Sequence, residues 1–358
     1  MTRKIAVICQ YELLENRVGG MDQFFWAFDA KCKDHGVDID WFFPNSSNHA
    51  AYQGLKIISA DYGSMEQFFL SHIKMQNKTY DLVITHFIEL STFFAKDVKA
   101  AGIKRLIQVD HNPRPYGGYG FSKRIKKSIK GLFYSGYVDQ FIGVSQNTAK
   151  EIIKDFGKRV ERKTKTIYNG VNLESIPVKK ESTPSKPPKF MVVSHLRKSK
   201  GIQDLVFAVS KLNASVKKQI VIDVFGSGPE EQELENLVVE LGCADNFKFF
   251  GSTAVVERYQ EYDYLIQPSY MECMSLSILE ALTAGVPVMT TPVGGTPEVI
   301  TPGVNGFLFE PGDIRSLEEI ITRCITEKNL IEGPIQPPNP EQFTLDFMVE
   351  EYFILITH

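Results

Sequence analysis

The chain has 358 residues, of which 43% are hydrophobic and 23% charged, and its formal net charge at pH 7 is −3. That charge balance argues against a general nucleic-acid-binding protein, whose surface must be basic, and no apolar run approaches the roughly 18 residues that span a bilayer. Because a chain of this length exceeds what a single hydrophobic core usually serves, we predict two domains.

The cysteines and the N-terminal segment indicate a reducing compartment. The five cysteines are scattered, odd in number and without a CxxC pair, which argues against a disulfide framework and a zinc knuckle. The segment MTRKIAVICQYELLENRVGG has only a short apolar run and no cleavage-like site, so we predict no signal peptide. The expected location is the cytoplasm.

Both halves of the chain alternate short apolar runs with amphipathic segments. Runs of about four to seven residues rich in Val, Ile and Phe are typical of buried parallel strands. In chain order they are KIAVIC, YDLVITHF, RLIQVDH, DQFIGVS and KTIYNGV, then KFMVVSH, QIVIDVFG, FKFFG, YLIQPS and PVMTTPV. Amphipathic segments between them, such as SQNTAKEIIKDFGK with Ser145 or Asn147 as its N-cap, predict helices. This alternation predicts an α/β protein with two Rossmann-like, doubly wound parallel sheets.

A change in composition marks the domain boundary. The stretch PVKKESTPSKPPK is rich in proline, lysine and serine and has no hydrophobic period, which is typical of a linker or surface loop. We therefore predict an N-terminal domain over 1–172, a linker over 173–189 and a C-terminal domain over 190–340. Because ligands bind outside the carboxyl ends of parallel strands, two facing sheets are expected to form a ligand cleft between the domains.

The stretch PSYMECMSLSILEALTAGVP carries two carboxylates, Glu272 and Glu280, among small and apolar residues. On one helix they would lie roughly 80° apart around the axis, so we place Glu272 in a loop and Glu280 in a helix that begins near Ser275 or Ser277. The unpaired N–H groups at such a start bind anions. A diphosphate bound there would bring a ribose to Glu280 and its other substituent to Glu272. The alternative is that neither residue binds a ligand: Glu272 would complement the helix dipole with its negative charge, and Glu280 would be a solvated helix residue.

Residues 268–313 resemble, almost position by position, the signature of the family 4 retaining glycosyltransferases (glycosyl transferases group 1), which have the GT-B fold. The matching residues are Pro268, Ser269, Glu272, Glu280, Ala281, Gly285, Pro287, Val288, Gly294, Gly295, Glu298, Asn305, Gly306, Pro311, Gly312 and Asp313. The resemblance implies a retaining, metal-independent transferase without a cofactor. Its donor would be a nucleotide-diphosphate sugar, with UDP or GDP, bound mainly by the C-terminal domain. Its acceptor would be a glycan or lipid-linked molecule in cell-surface polysaccharide or lipopolysaccharide biosynthesis.

The resemblance also assigns roles to single residues. Glu272 would contact the donor sugar, His111 in VDHNPRP would lie near its C6 hydroxyl, and Glu280 would hold the ribose; the first two are the catalytic candidates. The residues expected to bind the nucleotide sugar are Gly19, Gly20, His195, Arg197, Lys200, Met274, Ser275, Leu276 and Glu280. The family's C-terminal helix, here 341–358, is expected to pack back on the N-terminal domain.

Two departures from the family pattern concern the donor site. His195 stands where the family has an arginine, which leaves Lys200 as the cation and Arg197 as a substitute; histidine is a weaker and pH-dependent phosphate partner. The family loop E-G-F-G reads Glu272–Cys273–Met274–Ser275 here, without its two glycines. Two rival hypotheses therefore stay open: a nucleotide-sugar-binding protein that has lost turnover, and a nucleotide-sugar epimerase of the same fold.

Two further segments allow a structural and a functional interpretation. Asp38 and Asp40 in VDIDW resemble a metal-binding D-x-D, but the segment reads as the end of a helix entering a strand, so we predict no metal there. In FSKRIKKSIKGLFY, over 121–134, apolar residues recur at a helical period among five lysines and arginines. Basic amphipathic helices with aromatics lie on anionic membranes, which predicts a peripheral membrane surface. The alternatives are a solvated basic helix or a site for an anionic acceptor.

Overall fold

The computed structural model describes residues 3–15, 18–60, 63–180, 184–327, 330–331, 333 and 335–357. The chain divides into two compact units, one of Met1–Gly170 with Leu345–His358 and one of Val171–Thr344. The described residues of the predicted linker, 173–189, belong to the second unit. Lys179 ties them to it, because its backbone N–H donates to the carbonyl of Ala284 at 2.8 Å and its ammonium pairs with the buried Asp263.

Parallel strands form one seven-stranded sheet in the described part of the first unit. They are β1 (Arg3–Cys9), β2 (Val37–Phe43), β3 (Ile57–Ser59), β4 (Leu82–His86), β5 (Arg105–Asp110), β6 (Gln140–Gly143) and β7 (Thr164–Thr166). Their spatial order is β3-β2-β1-β4-β5-β6-β7, so the direction of winding reverses between β1 and β4. Open parallel sheets bind ligands at such a switch point, beside the carboxyl ends of the strands.

Five described helices of the first unit precede the domain boundary: α1 (Gly20–Asp34), α2 (Met65–Met75), α3 (Phe93–Ala100), α4 (Phe121–Tyr134) and α5 (Gln146–Phe156). Four of them bury an apolar stripe against the sheet, as Phe24, Phe25 and Phe28 do on α1. The predicted cap of α5 is confirmed at Ser145, whose Oγ accepts from the N–H of Thr148 at 3.0 Å. In α4, by contrast, the apolar side chains point to solvent.

The second unit contains a six-stranded parallel sheet within its described residues. The strands are β8 (Phe190–Val193), β9 (Ile222–Phe225), β10 (Phe247–Phe249), β11 (Tyr264–Gln267), β12 (Val288–Thr290) and β13 (Gly306–Leu308). Their order, β10-β9-β8-β11-β12-β13, places the reversal between β8 and β11. The segments that follow those two strands carry Lys200 and Glu272, so the sequence motif lies at the switch point of this sheet.

Helices cover the second sheet and bury an aliphatic core. They are α6 (Ile202–Lys211), α7 (Ala214–Lys217), α8 (Glu231–Glu240), α9 (Leu276–Thr283) and α10 (Ile314–Thr326). Leu205, Val206 and Val209 of α6 pack in one buried cluster with Leu317 and Ile321 of α10. Both predicted parallel α/β sheets are thus confirmed. The short strands β3 and β13 were not among the predicted runs.

The last helix, α11 (Leu345–Thr357), returns to the first unit and packs on α1. Lys31 pairs with Glu350 at 2.5 Å, and the rings of Phe24 and Tyr352 lie 4.8 Å apart. In the described part of the chain, no helix combines the length and the apolar content that crossing a bilayer requires.

Candidate functional site

Two glycines bring the loops of the second unit into contact around Glu272. Gly201 has φ +71°, and a Cβ on it would lie 1.9 Å from the carbonyl oxygen of Pro268. Gly294 has φ +58°, and a Cβ on it would lie 2.0 Å from the carbonyl oxygen of Glu272. Glycine tolerates both the left-handed backbone and the close approach. The segments after β8 and β12 are therefore packed directly against the segment after β11.

One oxygen of Glu272 is saturated by the protein. Its Oε1 lies 2.6 Å from the ammonium of Lys200 and accepts from Nε2 of Gln267 at 2.8 Å and from Oγ of Ser269 at 2.9 Å. No described residue donates to Oε2 of the same carboxylate. The three donors fix the orientation of the carboxylate, and Oε2 keeps its capacity to accept a hydrogen bond from a ligand.

The predicted helix start is confirmed at Ser275, the N-cap of α9. Its Oγ accepts from the N–H of Ile278 at 3.4 Å and donates to Oε1 of Gln267 at 2.8 Å. Hydrogen bonds thus run from the helix start through Gln267 to Glu272 and Lys200. Met274 is buried beneath this turn and Leu276 is the first residue of α9. The remaining N–H groups of the first turn and the positive end of the helix dipole favour an anion here.

Glu280 lies one turn further along α9 and is half-buried rather than solvated. Its Oε2 accepts from the hydroxyl of the buried Tyr259 at 2.8 Å. Burial raises the pKa of Glu280 to about 7, and the hydrogen bond from Tyr259 opposes that rise. The carboxyl therefore changes its charge in the physiological range, and the reading of Glu280 as a solvated helix residue is wrong.

The structure separates Lys200 from the two other cationic candidates. Arg197 precedes a 3-10 turn, Lys198–Lys200, that directs the Lys200 side chain to Glu272. His195 and Arg197 are exposed, and the backbone N–H of Arg197 donates to the carbonyl of His195 at 2.8 Å. Lys200 is thus the candidate whose ammonium lies at the carboxylate.

In the first unit, the predicted glycines lie at the switch point beside β1. The N–H of Gly19 donates to Oδ2 of Asp22 at 2.5 Å, and Gly20 begins α1. A Cβ on Gly19 would lie 2.8 Å from the hydroxyl of Tyr11. The position is therefore closely packed, and a side chain there would displace Tyr11.

His111 follows β5 and belongs to a cluster of aromatic rings. Its Nε2 lies 3.0 Å from Nδ1 of His86, the last residue of β4, and its ring stacks on Phe87 with the centroids 4.1 Å apart. Burial lowers the pKa of His111 to about 4, and the nearby Asp110 opposes that shift. Sequence reasoning missed His86 and Phe87, although both close the strand YDLVITHF.

Asp40, one of the two D-x-D residues, has a structural role. It is buried and forms ion pairs with Lys56 at 2.7 Å and with Lys78, and its Oδ2 accepts from the hydroxyl of Tyr80 at 2.6 Å. Burial would raise the pKa of Asp40, but the hydrogen bonds from these three partners lower it. Among the described residues, no three His, Cys, Asp or Glu side chains are grouped closely enough to hold a metal ion.

Family models match most of the chain. Residues 18–175 match the model described as Glycosyltransferase Family 4, and residues 176–336 match that of Glycosyl transferases group 1. Among solved structures, Anabaena Alr3699/HepE in complex with UDP and glucose is similar at a TM-score of 0.79, with 18% identity and 100% of both chains covered. The glycosyltransferase WaaG, described as involved in lipopolysaccharide biosynthesis, is similar at a TM-score of 0.72, with 18% identity and 99% of both chains covered.

Relatives of known name match over shorter stretches. N-acetyl-alpha-D-glucosaminyl L-malate synthase of Bacillus anthracis is 29% identical over 217 residues, which are 58% of this chain and 55% of that protein. Lipopolysaccharide glucosyltransferase WaaG of Escherichia coli is 32% identical over 133 residues, 37% of this chain and 35% of that protein. The chain thus spans about half the length, or less, of these relatives.

Two doubly wound parallel sheets, each with polar side chains at its switch point, define a protein of the GT-B class. The matches to both family models, in chain order and over the two units, are more specific than the fold. The chain belongs to the family 4 glycosyltransferases.

Proposed function

We propose that this protein transfers a sugar, with retention of its anomeric configuration, from a nucleotide-diphosphate sugar to a glycan or lipid-linked acceptor. The observation that carries the proposal is the Lys200–Glu272 pair beside the start of α9. It combines a cation, a helix N-terminus and an oriented carboxylate at the switch point of one sheet. Those are the groups that a diphosphate and its sugar require.

The leaving diphosphate would be stabilised by positive charge from two sources. The ammonium of Lys200 would contact the phosphate oxygens as well as Glu272. The first N–H groups of α9 would donate hydrogen bonds to the same phosphate oxygens. Both sources are in place before the reaction, so little reorganisation is needed as charge develops on the leaving group. We assign this task to the protein rather than to a metal ion, as the family resemblance implies.

The two carboxylates would position the two ends of the donor. Oε2 of Glu272 would accept from a hydroxyl of the donor sugar, because Oε1 is already occupied by Lys200, Gln267 and Ser269. Glu280 would accept from the ribose hydroxyls in its ionised form. The UDP in the Alr3699/HepE complex supports UDP as the nucleotide of the donor.

His111 would contact the C6 hydroxyl of the donor sugar, and the first unit would receive the acceptor. In the transfer, the bond from the anomeric carbon to the diphosphate oxygen breaks, and the diphosphate keeps the electron pair. The acceptor oxygen forms its bond on the same face, and its hydroxyl proton passes to the leaving diphosphate oxygen. We assign no side chain as a covalent nucleophile.

We propose that the protein binds the inner face of the cell membrane through the exposed surface of α4. Phe121 and Phe133 of this helix are 81% and 64% exposed. The other exposed side chains of the helix include three aliphatic and three basic residues: Ile125, Ile129, Leu132, Lys123, Arg124 and Lys126. Apolar side chains entering the headgroup region and cations binding anionic lipids act together on such a face. That location fits an acceptor in cell-surface polysaccharide or lipopolysaccharide biosynthesis.

A panel of UDP-, GDP- and ADP-sugars tests the proposed activity. We expect one nucleotide class to be released as water takes the sugar. The anomer formed first, read by proton NMR before mutarotation, should keep the configuration of the donor. A thermal shift without turnover would indicate a binding protein, and an isomerised nucleotide sugar would indicate an epimerase. Inversion at the anomeric carbon would contradict the proposed stereochemistry.

Flotation with liposomes tests the membrane surface. We expect binding to vesicles rich in anionic lipid and little binding to neutral vesicles. Phe121→Ser should weaken the binding about 10-fold, since one large apolar side chain leaves the interface. Val239→Ser is the matched control, because Val239 is 69% exposed on α8 in the other unit. Equal binding to neutral and anionic vesicles would reject the surface.

A further inference from the structure

Three rings at the switch point of the first unit form a compact stack, and its geometry determines more than the position of His111. His86 ends β4, Phe87 follows it, and His111 comes directly after β5. The planes of Phe87 and His111 lie 18° from parallel, and the ring of Tyr11 lies 5.4 Å from that of Phe87. The imidazole of His111 is therefore held on one face by Phe87 and at one edge by His86.

The backbone at Phe87 is in a conformation that bulky residues rarely adopt. Its φ is +61°, in the left-handed region. Such conformations persist where the surrounding structure imposes them, and they concentrate at functional sites. Here the left-handed turn after β4 places Phe87 on His111 while His86 points to the same ring. Packing thus holds His111 in one orientation.

The contact between the two histidines requires complementary protonation. Nδ1 of His86 and Nε2 of His111 are 3.0 Å apart, so one nitrogen carries the proton and the other accepts it. His86 is 1% exposed, lies beside the rings of Phe24 and Tyr352, and makes no other side-chain hydrogen bond to a described residue. If His86 accepted at Nδ1, its Nε2–H would have no acceptor among the described residues, which is unfavourable. The favoured donor is therefore Nδ1–H of His86.

We propose that His86 is a positioning residue that fixes the tautomer of His111, so that neutral His111 presents its Nδ1–H as a hydrogen-bond donor. This inference rests on the proposed function for its ligand, which is an oxygen atom of the donor sugar. Because Nε2 of His111 is occupied by His86, His111 donates through Nδ1 and does not act there as a base. The substrate group recognised is thus a hydrogen-bond acceptor, such as a sugar oxygen.

The surroundings keep both rings neutral. Burial lowers the pKa of His86, and His111 lowers it further. The pKa of His111 is about 4, with Asp110 as the opposing charge. Tyr352 on α11 lies beside His86, and Cys9 on β1 is the neighbour of His86 in the sheet. Asp22 on α1 lies near Cys9. The tautomer of His111 should therefore stay fixed across neutral pH.

NMR of the full-length protein with ¹⁵N-labelled histidine tests the tautomer without any ligand. The signals of the pair are assigned from their loss in His86→Phe and His111→Asn. We expect wild-type His111 to show a protonated Nδ1 and an unprotonated Nε2. A protonated Nε2 on His111 in the wild type would overturn the proposed polarity.

Two substitutions of His86 separate positioning from packing. His86→Phe keeps a ring of similar size and removes the nitrogen, so His111 should lose its single tautomer. His86→Asn places an amide donor near the position of Nδ1, so the Nδ1–H form of His111 should be restored. An unchanged His111 tautomer in His86→Phe would overturn the proposal. Should His86→Phe fail to fold, His86→Asn still decides: an Nε2–H form of His111 in that variant would also overturn it.

Turnover of the donor identified in the panel provides the second readout. His86→Phe should lower kcat/KM about 10-fold through kcat, the value of one misplaced hydrogen bond, and His86→Asn should recover most of it. A His86→Phe enzyme with wild-type kcat/KM would reject the positioning role. If the wild type turns over no donor, the proposed function fails, while the NMR spectra still decide whether His86 sets the tautomer.

Discussion

The two switch points of this protein are built from opposite chemistry. In the second unit, Lys200, Glu272 and the start of α9 place charges and a helix dipole at the ends of β8 and β11. In the first unit, the corresponding position beside β4 holds a neutral stack of His86, Phe87 and His111. A charged site suits a diphosphate, and a neutral site with one fixed donor suits a sugar hydroxyl. The same sheet topology thus presents two different chemical environments.

Removing Lys200 should have the largest effect, because the charged site loses its cation. We expect Lys200→Ala to lower kcat/KM about 100-fold, the usual loss for one group that stabilises developing charge. Lys198→Ala is the matched control, since Lys198 is exposed on the same 3-10 turn. Steady-state kinetics with the donor from the panel measures both. A similar small loss in the two variants would remove Lys200 from the site.

The close packing behind the charged site predicts a large loss of stability in one glycine variant. Gly201 and Gly242 both have a left-handed backbone, but a Cβ on Gly242 meets nothing within 4 Å. Gly201→Ala should therefore destabilise the second unit by about 2 kcal/mol more than Gly242→Ala, because only the first forces the Pro268 carbonyl to move. Differential scanning calorimetry of both variants measures the difference. Equal destabilisation would mean that the loops are not packed as described.

The sequence revealed the charged site better than the neutral one, and the reason is physical. The spacing of Glu272 and Glu280, with two serines between them, predicted a loop followed by a helix that begins near Ser275 or Ser277, and both sheets followed from strand and helix periods. His86 gave no such signal, because the sequence around a histidine at the end of a strand is the same whether its ring only packs in the core or positions another side chain. The left-handed φ of Phe87 depends on residues that are close in space but distant in the sequence, so a local sequence pattern does not reveal it.

A difference in pH dependence should separate the two sites. With its pKa at about 7, Glu280 becomes ionised as the pH rises, and the carboxylate is the better acceptor for ribose hydroxyls. Affinity for the intact nucleotide sugar should therefore increase up to about 10-fold from about pH 5.5 to about pH 8. Isothermal titration calorimetry measures it, and Glu280→Gln should abolish the increase while His86→Asn keeps it. A protonated His195 as the phosphate partner would give the opposite sign.

The raised pKa of Glu280 also predicts a smaller effect on the free energy of unfolding, which should decrease as the pH rises. Because the pKa of Glu280 is raised by folding from the model-compound value of 4.5 to about 7, the folded state is favoured at low pH. That contribution is complete below the unfolded value and is lost as the pH rises through about 7. The Tm of Glu280→Gln should accordingly fall less than that of the wild type between about pH 5 and about pH 8. An equal fall in both proteins would contradict the raised pKa.

A crystal structure with the nucleotide sugar from the panel tests the placement of the donor most directly. We expect the diphosphate oxygens about 3 Å from Nζ of Lys200 and from the first N–H groups of α9. We also expect a hydroxyl of the sugar on Oε2 of Glu272, the oxygen to which no described residue donates. A diphosphate bound away from α9, with Oε2 of Glu272 facing no part of the donor, would contradict the proposed site.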